Sequence, residues 1–385
     1  MTPPITVLGT AYGRYGGKPL GMHLRDRLQH LYVIGQTGTG KSTLLFNMAS
    51  QDTAAGTGFC LIDPHGDLAR DLAAVLDSTA LVWNAADPDC PLGYNPLTRT
   101  SPGLRPLVAS GLIEALKKQW AEAWGVRMEH LLRHALLALL DQPATDMRDI
   151  MRLFLDRSFR REVILRITDP QVRQFWEEEF PALNYKTAFD GVAPIANKLG
   201  TLLSHPVVRR ALCEPAEPLR FRQTMDEGRV LVVNLAKGQL GADIANVLGG
   251  LIVSGITHAA FTRQTDAIRR PFMLYVDEFH SFTTAALADT LAETRKYGLG
   301  LTLSQQHCQQ AAPEVFASIM GNVGSLMAFR VGALDAPLIA RELGGIPPDT
   351  LQTQPNYQAV CRLMIDGERS KPFSATTMPP ASELS

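Results

Sequence analysis

The chain has 385 residues, 45% of them apolar, and a formal net charge of −1 at pH 7. That composition excludes a disordered or fibrous chain, and the length allows two or three domains or one large α/β domain with an insertion. The near-zero charge excludes a general polyanion binder, so a nucleic-acid site has to be a local basic surface, such as one lining a pore.

Five scattered cysteines, Cys60, Cys90, Cys213, Cys308 and Cys361, show no C-x-x-C spacing, which points to a reducing compartment and thiols used as small core residues. The N-terminus lacks a signal-peptide pattern. The longest apolar stretch, Ala245 to Phe261, is interrupted by glycines, Ser254, Thr257 and His258, and reads as a buried helix rather than a membrane span. These features lead to the expectation of a soluble, cytoplasmic protein without direct membrane insertion.

In chain order, Ile5 to Gly9 and Pro19 to Leu24 read as a hairpin around a turn through Gly13, Gly16 and Gly17. The apolar run Leu31–Ile34 reads as a buried strand, and Thr43–Ala49 as a helix. Between them, Gly35-Gln36-Thr37-Gly38-Thr39-Gly40-Lys41-Ser42 fits G-x-x-x-x-G-K-[ST] at every fixed position. Glycines in such a loop let backbone N–H groups curl around an anion, and the helix N-terminus adds its positive dipole end. The loop, with Thr43, is therefore expected to bind a nucleotide. Lys41 would reach the β- and γ-phosphates, and the Ser42 hydroxyl would sit on Mg²⁺. The implied ligands are ATP and Mg²⁺.

Gly58–Asp63 reads as a second buried strand, Thr79–Trp83 as a third, and Asp63 and His65 fall on a loop where they could act behind the magnesium or the water. From about Arg99 to Pro215 the spacing is helical, in the runs 104–124, 129–140, 146–155, 159–167, 170–180 and 187–203. Strand patterns resume at Val230–Leu235, followed by a helix from Ile244 to Arg263. Phe272–Val276 is a buried strand that ends in Asp277-Glu278, the form of a Walker B element: Asp277 for Mg²⁺ and Glu278 to polarise the attacking water. A helix Thr284–Tyr297 and strands 299–303 and 326–331 follow. Gln358–Ile365 and Lys371–Ala375, joined by 366–368, read as a terminal hairpin before a polar tail.

The strand at 299–303 leads into Gln305-Gln306, amides placed to sense a γ-phosphate. Arg295 ends the preceding helix, where a cation suits the helix C-terminus and also suits an arginine finger for a neighbouring subunit; Arg330 is the alternative finger, or else stands behind the site with Asp63 and His65. Glu129, His130 and His134 are ordered E-H-x-x-x-H, not H-E-x-x-H, and read as a solvated helix face. The expected fold class is α/β: a RecA-like P-loop NTPase with a central, mostly parallel sheet and an inserted all-α subdomain. The expected division is 1–98 for the hairpin and first half of the ATPase domain, 99–215 for the helical insertion, 216–375 for the second half and 376–385 for the tail.

Taken as an ordered set, the segments His30–Thr43, Leu61–Leu68, Gly228–Gly238, Tyr275–His280 and Arg295–Leu299 with Gln306 resemble the HerA/FtsK superfamily, and within it the TraD/TraG-type coupling ATPases of conjugation and type IV secretion. The resemblance implies a homohexameric ring that translocates DNA, with a relaxase or secretion-channel protein as partner. It also implies Gln306 rather than Gln305 as the sensor and Arg295 as the arginine acting in trans. Membrane-bound coupling proteins carry N-terminal transmembrane helices; with the P-loop beginning at residue 35, a soluble relative, or one recruited by another protein, is expected. The alternatives are a DExH helicase, since Asp277-Glu278-Phe279-His280 spells that box, and a nucleotide-gated secretion adaptor that moves no DNA.

Overall fold

In the computed structural model, which describes residues 5–12, 16–183, 185–284, 288, 291 and 293–379 (backbone only at 185–189), the chain divides into two compact units. One comprises residues 1–82, 221–237 and 259–385, the other residues 83–220 and 238–258.

The first unit is built on a single sheet. Its strands are β1 (Ile5–Ala11), β2 (Lys18–His23), β3 (Leu31–Ile34), β4 (Gly58–Asp63) and β5 (Leu81–Asn84). After a short pair in the second unit, β6 (Leu92–Gly93) and β7 (Glu217–Pro218), come β8 (Val230–Asn234), β9 (Phe272–Val276), β10 (Leu299–Gln305), β11 (Ser325–Ala328) and β12 (Gln358–Arg362). A small hairpin, β13 (Met364–Ile365) with β14 (Glu368–Arg369), precedes β15 (Phe373–Thr377). The sheet has eleven strands in the order β2-β1-β15-β12-β11-β3-β10-β9-β4-β8-β5. From β11 to β8 neighbours run parallel, while β12, β15, β1 and β2 add antiparallel strands beyond β11. Strands β3, β4, β9 and β10 are buried along their whole length, which is why they read as unbroken apolar runs and not as alternation. The α/β architecture expected from the sequence is present, and the C-terminal ends of the parallel strands form the edge where such sheets bind ligands.

A buried ionic network ties the opposite edge together. Arg27, 1% exposed, donates to both carboxylate oxygens of Asp52 at 2.6 and 2.7 Å, to Thr6 Oγ1 at 2.6 Å and to the Tyr275 hydroxyl at 2.5 Å. The Tyr275 hydroxyl donates in turn to Asp52. The fork geometry of guanidinium against carboxylate makes such a pair strong once both are out of water.

The terminal segment differs from the expected single hairpin. Asp366 and Gly367 both have positive φ, 53° and 85°, so Asp-Gly forms a tight turn that closes β13 on β14. Strand β12 therefore ends at Arg362, and its partner β15 starts at Phe373 and runs on to Thr377, inside the stretch read as tail. The rest of that tail beyond 379 lies outside the described residues, as do 13–15 of the first turn and much of the helix expected over 284–297.

In the second unit the helices include 105–119, 126–139, 148–155, 157–166, 170–174, 185–204, 206–213 and most of 242–261, with a π-helical turn at Phe175–Glu179 and the parallel pair β6–β7. Asp156 and Asp169 cap two of them by accepting from the backbone N–H groups two and three residues on. Arg105 and Asp141 form a buried ion pair at 2.7 Å. His134 stacks on Phe175 with 3.9 Å between ring centroids and His130 meets Phe175 edge-on, while Glu129 accepts from Trp124, Arg133 and Lys117. This helix face is thus an aromatic and ion-pair surface, not simply solvated. Among the described residues no group of three His, Cys, Asp or Glu side chains could hold a metal. The helix Ala242–Phe261 is long and apolar enough to cross a membrane, with mean hydropathy 1.6, and 72% of that window is buried inside the fold.

Candidate functional site

Strand β3 lies between β10 and β11 and delivers Gly35 to the ligand-binding edge. The loop is fastened on both sides: Gly35 N–H donates to Gln305 O at 3.3 Å and Gln36 N–H to Arg330 O at 2.8 Å. Gly40 is needed twice over, because its φ is +119° and an added Cβ would meet the Tyr357 ring at 2.9 Å. At Gly35 a Cβ would clash with Phe329 at 2.6 Å. The helix Lys41–Ala54 starts with no side-chain cap and no acidic residue in its first turn, so its first N–H groups and dipole end are left for an anion.

Lys41 is 6% exposed and donates to Gly35 O at 2.6 Å and Gln36 O at 3.2 Å. Burial lowers its pKa, and Asp277 and Glu278 oppose that by favouring the charged form. The two carboxylates follow β9, whose register against β10 sets Val276 beside Leu303. That brings Ser304 next to Asp277, and the Ser304 hydroxyl donates to it. Asp277 is 7% exposed and its pKa is raised, first by burial and then by Asp63, with Ser304 and Lys41 pulling it back. Glu278 takes a left-handed backbone, φ 48° and ψ 47°, which turns its side chain back towards the cleft. Its pKa is also raised, by burial and by Asp277, while Gln306, Lys41 and His65 favour the ionised form. His280 Nδ1 lies 3.4 Å from Glu278 Oε2.

The adjacent glutamines part company. Gln305 is fully buried and donates to the Tyr32 hydroxyl at 2.6 Å, so it belongs to the core. Gln306 reaches the cleft, where its Oε1 accepts from Thr37 Oγ1 at 3.0 Å and its amide favours the Glu278 carboxylate. Asp63 lines the same cleft, but both its oxygens are used, accepting from His65 N–H at 2.8 Å and Ala69 N–H at 2.9 Å. It shapes the loop that holds His65 and adds negative charge near Asp277.

Together these groups line one open cleft of about 690 Å³: Thr37, Gly38, Gly40, Lys41, Ser42 and Thr43 from the loop and helix, Asp63 and His65 from the β4 loop, and Asp277, Glu278 and Gln306. Phe46, Leu68 and Tyr357 complete its walls. Ser42 and Asp277 with a phosphate fit Mg²⁺, which takes one or two carboxylates plus phosphate oxygens rather than an all-protein cage.

Neither arginine lines this cleft. Arg295 is exposed in the turn that precedes β10, so the strand's length, about 20 Å at 3.3 Å per residue, separates that turn from the edge that carries Gln306. It faces a separate polar hollow with His30, Asn322 and Arg369. Arg330 donates to Gln36 Oε1 at 3.4 Å, Gln354 O at 2.9 Å and Asn356 Oδ1 at 3.0 Å, so it braces the phosphate loop from behind. Sequence reasoning named His280 only as a letter of the D-E-x-H box and missed Ser304 and Tyr357. The polar Ser304 at the end of an apolar strand was the visible signal between those two.

No protein-family model matches this sequence, and no curated protein does. Solved structures do share its fold. The plasmid coupling protein TrwB in complex with a non-hydrolysable ATP analogue matches with a TM-score of 0.68 at 16% identity, over 98% of this chain and 95% of that one. TrwB with ADP and Mg²⁺ matches with a TM-score of 0.67 at 17% identity, over 98% and 96%. VirB4 of Thermoanaerobacter pseudethanolicus matches with a TM-score of 0.63 at 15% identity, over 100% and 98%.

Proposed function

We propose that the protein is an ATP-hydrolysing motor of the conjugative coupling type, which works as a ring and moves DNA. The observation that carries this is the convergence of Lys41, Ser42, Asp277, Glu278 and Gln306 on one cleft at the C-terminal edge of a parallel sheet. TrwB, with the same fold, is a plasmid coupling protein that has been captured with ADP and Mg²⁺.

In this reading the loop N–H groups and Lys41 grip the phosphates. Ser42 and Asp277 would hold Mg²⁺, which when bound neutralises charge developing between the β- and γ-phosphates. Glu278 orients the attacking water and takes its proton, and its raised pKa moves it towards the working range of a general base. Gln306, bridging Thr37 of the loop and Glu278, reports whether a γ-phosphate stands between them. Arg295 is too far from its own cleft to act there. Its exposure on the other end of the sheet supports action on a neighbour's nucleotide, in a head-to-tail contact that closes into a hexamer. The described residues contain one large, mostly parallel sheet, which gives no support to a helicase built on paired domains. DNA as cargo and a relaxase or secretion-channel partner rest on likeness of fold.

The test is ATP turnover with and without single- and double-stranded DNA, alongside the mass of the assembly. Turnover stimulated by DNA in a hexameric fraction supports the motor. Turnover indifferent to DNA favours the nucleotide-gated adaptor.

A further inference from the structure

One aromatic side chain in the cleft has no part in the phosphate or metal chemistry. Tyr357 stands just before β12, and its backbone is held on both sides. Its N–H donates to Thr39 O of the phosphate loop at 2.8 Å, and its carbonyl accepts from Thr377 N–H at 2.8 Å and Thr377 Oγ1 at 3.1 Å. These bonds keep it at φ +62°, a left-handed conformation that bulky aromatic residues rarely adopt. The ring lies against Gly40 at the start of the helix Lys41–Ala54 and lines the cleft half-buried. Its hydroxyl has no hydrogen-bond partner among the described residues, whereas a tyrosine buried for stability ordinarily uses that group.

Strand order gives this ring a direction. The phosphate loop follows β3; on one side of β3 are β10 and β9, which carry Gln306, Asp277 and Glu278, and on the other are β11 and β12, which carry Tyr357. A nucleoside triphosphate is a linear ligand with its γ-phosphate at one end and its base at the other. With the γ-phosphate at Gln306 and Glu278, the chain of phosphates across the loop leads the base to the Tyr357 side. Phe46 also lines the cleft, but it packs against the hydrophobic core and is fixed by that packing.

We propose that Tyr357 is the stacking platform for the nucleobase. The assignment rests on the nucleotide reading of the cleft and adds the subsite for the other end of the ligand. A ring face recognises flatness and not the base edge, so ATP and GTP are held alike.

Calorimetric titration of the full chain with the magnesium complexes of ATP, GTP and inorganic tripolyphosphate separates base from phosphate recognition. Tyr357→Ala is expected to weaken both nucleotides by roughly 5- to 100-fold and to leave tripolyphosphate unchanged, while Tyr357→Phe behaves as wild type. Tyr357→Gly removes the ring and relieves the left-handed strain, so the same loss in that variant cannot come from misfolding. An equal loss for tripolyphosphate would mean that the ring only buttresses the loop, and overturns the proposal. So does unchanged nucleotide affinity, or a loss that follows Phe46→Ala instead. Lys41→Ala should abolish binding of all three ligands; wild-type protein that binds none of them refutes the nucleotide reading and the platform with it.

Discussion

Gln305 and Gln306 are the same residue type at consecutive positions, yet one is buried in the core and the other reaches the cleft, and alanine substitution should divide stability from turnover between them. Gln305→Ala deletes a fully buried amide and leaves the Tyr32 hydroxyl without that donor. An unsatisfied buried group costs about 1–3 kcal/mol, and the cavity left by the side chain adds to it, so a loss of about 2–4 kcal/mol is expected. Gln305 Oε1 has no partner of its own, which caps the loss at the lower part of that range. Gln306→Ala removes a half-exposed side chain whose bond to Thr37 is made at the cleft, and stability should change by no more than about 0.5 kcal/mol. Its effect should fall on turnover, roughly a hundredfold, as for a lost group that acts at the reacting phosphate. Thermal melts and phosphate release at saturating ATP read the two effects independently. Exchanged phenotypes, with Gln306→Ala unstable and Gln305→Ala stable but inactive, would refute the assignment.

Removing one partner of the buried ion pair by Asp52→Asn should cost about 3–5 kcal/mol, because the Arg27 guanidinium is left uncompensated; the double change Arg27→Met with Asp52→Leu should recover much of that in a denaturant melt. His30 is buried and its pKa is lowered to about 4 by loss of solvent, so between pH 6.5 and 4 the unfolded chain takes up a proton that the folded chain refuses. Stability should therefore fall as pH drops through that window, by up to about 3 kcal/mol from this residue, and His30→Asn should flatten the pH dependence of the melting temperature. For Asp277 the raised pKa means the fold carries a charge it would rather protonate, so stability declines as pH rises above the ordinary carboxylate range. Asp277→Asn should accordingly melt higher at neutral pH while losing Mg²⁺-dependent turnover; a lower melting temperature contradicts the burial argument.

The phosphate loop and the Walker B strand were legible because each is contiguous: a strand, a turn and a helix, or a strand with its terminal carboxylates, carry their chemistry in neighbouring residues. Ser304 needed the β9–β10 register before its hydroxyl could be matched to Asp277, and a single sequence does not state register. Tyr357 was invisible for a similar reason. Its importance comes from a left-handed backbone and from β12 lying two strands from β3, neither of which leaves a local pattern. Arg330 read either as a finger or as a group behind the site, and its bonds, one to Gln36 of the loop and two to Gln354 and Asn356, agree with the second reading. At the chain's end, Asp-Gly announced a turn correctly, yet the turn closes only the β13–β14 hairpin, and the longer β12–β15 pairing starts again beyond it.

In the proposed hydrolysis Glu278 is the group that activates water. Single-turnover hydrolysis by Glu278→Gln, measured beside its ATP affinity, tests that most directly. Affinity close to wild type with hydrolysis slowed at least about a hundredfold is the expected result. Hydrolysis at the wild-type rate with ATP bound would contradict it.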